Sequence, residues 1–225
     1  MLYDLSELFS RLLILLPPLL AALVLHEWAH AWAADRLGDP TARRQGRLSL
    51  NPLVHLDPLG TLVLVVTQRF GWARPVPVDV RNLRNPRRDL FWIASAGPAA
   101  NLVQALALGL VIRLVGPEGI GPGLAYLGGR LPDDVTGLLL AMVALGFVIN
   151  LVLAWFNLLP VPPLDGSRLV MRFLTPEATR LYAAAAPWLM GGLLFVFFFV
   201  PGLLGLILQG PVGWTAYLFS GIRLW

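Results

Sequence analysis

Leu12 to Leu25 is a stretch without a single charged residue, and it runs directly into His26-Glu27-Trp28-Ala29-His30. Fourteen apolar residues followed by three ionisable ones is an unusual demand on a fold. As a helix, the segment places His26 and His30 one turn apart on one face, close enough to grip a single ion. Extended to about residues 8–35, it is long enough to cross a bilayer. Two histidines and a glutamate at membrane depth are costly unless they are bound to something.

Composition supports a membrane protein. The chain is 57% hydrophobic and 13% charged, against about 25% charged in soluble domains. It has no cysteine, which excludes disulfides and thiolate metal sites. A transition-metal site must then draw on Asp, Glu and the three histidines. All 17 basic residues are arginine. Their place in loops beside apolar runs makes them topology signals, so the pI near 10.3 does not call for a nucleic-acid partner. A basic leader is not expected, because Asp4 and Glu7 stand where its charges would be.

Further core spans are expected at about 90–115 and 135–157, with one or two more within about 181–222. Residues 36–88 hold ten arginines against Asp39, Asp57 and Asp79, whereas 116–134 holds Glu118, Asp133 and Asp134 against Arg130 alone. The excess of arginine puts 36–88 in the cytoplasm and the N-terminus outside. Leu59 to Thr67 is apolar but nine residues long, too short to cross, and arginines that include Arg69 flank it on both sides. Its β-branched residues, with the alternation at Arg47-Leu48-Ser49-Leu50, point to a membrane-dipping β-hairpin at about 47–67. The fold class expected is an all-α polytopic membrane protein with that hairpin, in one domain over 1–225.

The chemistry centres on the opening motif. H-E-x-x-H on a helix offers two neutral imidazoles to zinc and a glutamate, Glu27, as general base on water. A catalytic zinc needs a third protein ligand, and the candidate is Asp165. It follows Asn157-Leu158-Leu159-Pro160-Val161-Pro162-Pro163-Leu164 at the same end of the membrane where the first span ends. Asp165 also reads as a plain helix N-cap at a membrane-exit turn. At 1.5 Å per residue His26 lies about 15 Å from Arg36 and about 22 Å from Arg11. The metal level is therefore nearer the cytoplasmic face.

Taken together, His26-Glu27-x-x-His30 and Asn157-x-x-Pro160-x-Pro162-x-x-Asp165-Gly166 resemble the site-2 protease family, the intramembrane zinc metallopeptidases. Gly46-Arg47-Leu48-Ser49-Leu50-Asn51-Pro52, His55-x-Asp57-Pro58-x-Gly60 and Ala96-Gly97-Pro98-Ala99-Ala100-Asn101 are similar to its compact bacterial branch. The resemblance implies one Zn2+ per chain held by His26, His30 and Asp165, with Glu27 as catalytic base. It also implies a three-helix core open to water from the cytoplasm and a transmembrane protein or peptide as substrate, in a bacterial cytoplasmic membrane. No PDZ or CBS domain is expected in so short a chain, and the oligomeric state is left open.

Three further residues are candidates. Asn101 and Asn157 either hold the substrate backbone or an oxyanion, or tie helices together, and the two readings stand level. His55 either caps the hairpin, the reading preferred, or approaches the metal. The rival functions are a metal-ion transporter, which needs metal-binding groups along several spans, and an inactive scaffold, against which Glu27 argues.

Overall fold

The computed structural model describes residues 5–67 and 71–224. Among them are five helices long and apolar enough to cross a membrane: α1 (Leu5–Arg36), α4 (Pro86–Gly119), α6 (Val135–Asn157), α8 (Pro176–Phe199) and α9 (Pro201–Ser220). Four short helices connect them, namely α2 (Thr41–Arg44), α3 (Pro58–Thr67), α5 (Gly121–Leu127) and α7 (Asp165–Met171). The chain is thus a mostly helical, polytopic membrane protein. Gly116, at φ 78° and ψ 167°, breaks α4 where the Gly-Pro pair stands in the sequence.

A polar residue followed by proline starts one helical turn after another. Asn51 accepts from the Leu53 amide at 3.0 Å, Asp57 from Gly60 at 2.8 Å and Thr175 from Ala178 at 3.2 Å. Asn85 accepts from Arg88 at 3.3 Å, while Asp89 reaches back to the Asn85 amide at 2.7 Å. Such caps are worth about 1 kcal/mol each, and proline at the first helical position loses no bond.

The expected β-hairpin at 47–67 is not there. Residues 58–67 form α3, and no strand occurs among the described residues; the only β-pairing there is a single antiparallel bridge, Leu56 to Ala73. The cause lies in Asp57-Pro58, whose cap starts a helix and outweighs the β-branched composition of the run behind it. Gly60 and Gly71 complete the turn-back. A Cβ on Gly60 would lie 2.2 Å from the Trp72 carbonyl, and one on Gly71 2.7 Å from that of Gly60. Ten residues of helix span about 15 Å, half the hydrocarbon thickness. Arg69 lies outside the described residues, as do the side chains of Val65, Val66 and Thr67.

The chain divides into two compact units. The first comprises the described residues of Met1–Ala22, Asn101–Trp155 and Gly205–Trp225. Its core is Ala105, Ile112, Ile120, Ala144, Phe147, Leu151, Val212 and Ala216. Two buried amides stitch three helices within it. Asn101 Nδ2 donates to Ala22 O at 3.1 Å and to Asn150 Oδ1 at 2.8 Å, and Asn150 Nδ2 donates to Gly146 O. Each such bond in a membrane is worth about 0.6–2 kcal/mol. Arg113 donates to Phe219 O and Leu218 O, covering carbonyls that the end of α9 leaves open.

The second unit comprises Leu23–Ala100 and Phe156–Leu204. Ala33 and Ala34 of α1 pack on Leu83 and Ile93. Ala31 packs on Ala42 and Val76, with Leu48 against them. Buried Asp39 organises the loops after α1, accepting from the Thr41 amide and hydroxyl, the Asp79 amide and the Asn82 side chain. Burial pushes its pKa up, but these donors hold it below the ordinary carboxylate value.

Candidate metal centre

The site lies within the second unit. His26 and His30 sit one turn apart on α1, with ring centroids 4.7 Å apart and planes at 84°. His30 Nδ1 lies 2.7 Å from the Ile93 carbonyl of α4. A carbonyl only accepts, so Nδ1 carries the proton and Nε2 presents a bare lone pair.

Asp165 arrives from the opposite end of the sequence. It is the first residue of α7, and the residue before it, Leu164, provides no side-chain cap. The carboxylate is therefore not spent as an N-cap; it points at the imidazoles. Gly166 makes this aim possible, because a Cβ there would lie 2.2 Å from Leu158 O and 2.4 Å from Leu159 O. Only glycine lets the start of α7 fold back on the end of α6. On the flank, Tyr182 donates to Pro160 O at 2.7 Å.

Three donor atoms converge as a result. His26 Nε2 and His30 Nε2 are 3.1 Å apart, and each is 3.2 Å from Asp165 Oδ2. Two imidazole nitrogens and a carboxylate oxygen at that separation make a donor set that a single cation would join. Tetrahedral zinc with ligands at 2.0–2.2 Å sets donor atoms about 3.3 Å apart, so the triangle has the size that zinc requires. All three residues are largely buried.

The fourth wall is one that sequence reasoning missed. A Cβ on Gly97 of α4 would lie 2.4 Å from His30 Nε2 and 2.6 Å from His26 Nε2. The backbone of α4 thus passes within contact distance of the two Nε2 atoms, and only the missing side chain leaves them room. A signal was present, since a glycine inside a helical run costs about 1 kcal/mol and asks for a packing reason.

The other candidates lie as follows. Glu27 is half-buried beside His26, near enough to Arg47 for its charge to act there. Asn101 spends its amide on Ala22 and Asn150. Asn157 is the half-buried last residue of α6. His55 is fully buried with Nε2 2.7 Å from Ser49 O, and it is not among the grouped donors. The groups able to hold a metal gather, among the described residues, at this one level, whereas an ion path needs a succession of them.

Comparison with known proteins agrees with this chemistry. The model of peptidase family M50 matches residues 14–199. YwhC of Bacillus subtilis, provisionally named a zinc metalloprotease, is 37% identical over 182 residues, covering 81% of this chain and 78% of that one. Rip2 of Mycobacterium tuberculosis, named in the same way, is 33% identical over 208 residues, 90% of this chain and 72% of the relative. Rip2 of Mycolicibacterium smegmatis is 35% identical over 175 residues, 75% of this chain and 60% of its own length. No solved structure matches. With the apolar helices, the grouped donors and a family match over most of its length, the chain belongs to peptidase family M50 and is an intramembrane zinc metallopeptidase.

Proposed function

We propose that His26, His30 and Asp165 hold the zinc, and that Glu27 is the general base that hydrolyses peptide bonds in or beside transmembrane segments of membrane proteins. The convergence of the three donor atoms within 3.2 Å carries this reading. Zinc, when bound, acidifies water and polarises a carbonyl. Glu27 accepts the proton of the attacking water and passes it to the leaving amine nitrogen. His30, fixed by Ile93 O, keeps its Nε2 aimed inward throughout. A substrate helix must unwind locally first, since a helical peptide bond is shielded by its own backbone.

The ligand assignment is tested by metal content. Detergent-purified wild type is expected to hold about one zinc per chain and Asp165→Ala close to none after dialysis. Equal zinc in the two proteins refutes the assignment.

The balance of charge supports an orientation with the N-terminus outside and the site opening toward the cytoplasm of a bacterial inner membrane. Nine of the ten arginines in 36–88 fall on described residues, and most of those nine are exposed, whereas Arg130 alone answers Glu118, Asp133 and Asp134 in 116–134. The chain has no cysteine, so single cysteines introduced within 128–134 report sidedness cleanly. They are expected to react with an impermeant maleimide added to intact cells. Protection there, with labelling at 43–46 instead, inverts the topology.

A further inference from the structure

Among the described arginines of the 36–88 segment, Arg47 is the one drawn inside the protein. Only 4% of its surface is exposed, where Arg43 and Arg44 beside it are open to solvent. Its Nη1 donates to Val54 O. Its Nη2 donates to Arg74 O and, at 3.2 Å, to Pro75 O. The same guanidinium therefore holds both roots of the segment that carries α3. Close by, the Arg74 amide donates to His55 O and Leu56 bridges Ala73.

The clamp has a definite place on α1. Leu48, the next residue, and Val76, next after Pro75, pack against Ala31. Ala31 lies one helical turn beyond Glu27 on the same face. The roots of the segment thus close against the Glu27 face of α1, and the charge of Glu27 reaches Arg47. Beyond the clamp, Leu53, Leu59 and Leu62 turn outward, more than half exposed.

The Arg47 Nε is buried with no partner among the described residues. An unmade bond of this kind costs about 1–3 kcal/mol. A guanidinium kept in spite of that cost is kept for its fork, which spans carbonyls on two chain segments at once. Lysine offers a single nitrogen and cannot do the same.

We propose that Arg47 is a positioning residue for peptide hydrolysis: it holds the two roots of α3, at 54 and at 74–75, against the Glu27 face of α1, so that α3 guides the substrate helix to the base. This rests on the assignment of Glu27 and the three ligands above. Opening the clamp is expected to leave those ligands in place, since Arg47 takes no part in the hydrogen bonds among His26, His30, Asp165 and Ile93, but lets the guiding surface drift. Displacements of about 1 Å away from the chemistry cost about 100-fold in rate.

The test uses the full-length enzyme in nanodiscs with a model transmembrane substrate. Arg47→Ala and Arg47→Lys are both expected to keep wild-type zinc and lose about 100-fold in kcat/KM. The lost clamp can be replaced covalently. Leu56 and Ala73 face each other across an antiparallel bridge, within reach of a disulfide. In Leu56→Cys/Ala73→Cys the natural clamp remains, and activity is expected to be near wild type in either redox state. Added to Arg47→Ala or to Arg47→Lys, the oxidised pair is expected to recover the greater part of the lost activity and the reduced pair none of it. Should Arg47→Ala not accumulate, the lysine series gives the same comparison. Wild-type kcat/KM in both Arg47 variants, loss of zinc in them, or oxidation without recovery each overturns the proposal. Failure of the catalytic assignment itself has a different signature, cleavage by Glu27→Gln equal to wild type.

Discussion

Replacing Gly97 with alanine is expected to empty the metal site. The added Cβ would stand 2.4 Å from His30 Nε2 and 2.6 Å from His26 Nε2, far inside van der Waals contact. A clash with the end of a flexible side chain is cheaply relieved; this one is not. His30 is held on its far side by Ile93 O, and Ile93 belongs to the same helix as Gly97. Pushing α4 away therefore pulls on the ring that needs room. Either the imidazoles rotate out of line or α4 retreats with its packing, at about 1–3 kcal/mol. In both cases the donor triangle opens. Zinc affinity should fall by about 100-fold or more, since even losing an orienting contact of a ligand costs about 10- to 100-fold. Isothermal titration of metal-stripped protein reads this directly, without reference to activity. Wild-type affinity in Gly97→Ala would show that α4 does not form the wall of the site.

Glu27→Gln should have the opposite profile, full zinc and almost no turnover. Glutamine keeps the shape of glutamate and its place beside His26, but it cannot accept a proton at neutral pH. Loss of a general base lowers turnover by about 100- to 10,000-fold. Single-turnover cleavage of a transmembrane peptide, with zinc measured on the same sample, separates the two effects. A Glu27→Gln enzyme that cleaves at the wild-type rate removes Glu27 from the mechanism. The pair of variants is informative because Gly97 acts on the metal and Glu27 on the proton.

Much of this was legible from sequence, and the reason is locality. An uncharged run long enough to cross a bilayer can hardly be anything other than a helix, and i, i+4 spacing fixes which histidines share a face. Asp165 could be named as a candidate, but not distinguished from an N-cap. That distinction depends on Gly166 touching the Leu158 and Leu159 carbonyls, a contact between elements. The 47–67 region reads as strand only when its β-branched content outweighs the Asp57-Pro58 start signal, and the structure shows that it does not. Asn101 has two readings of equal standing in the sequence, and its bonds to Ala22 and Asn150, made across helices, are not legible there. By sequence Arg47 is one more of the arginines that mark the cytoplasmic side. Charge counting cannot tell a buried arginine from an exposed one, because the burial is set by carbonyls at 54, 74 and 75.

The polar-proline pairs at Asn51-Pro52, Asp57-Pro58, Asn85-Pro86 and Thr175-Pro176 bear on how such a chain is made. Each cap closes between residues at most three apart. Each helix start can therefore form as its own few residues leave the ribosome, before any later segment exists. Donors more than a hundred residues apart, such as His30 and Asp165, meet only near the end of synthesis. Early helix starts limit how far the spans can slip in register while they wait. One turn of α1 can thus be held in register against α4 well before Asp165 has been made.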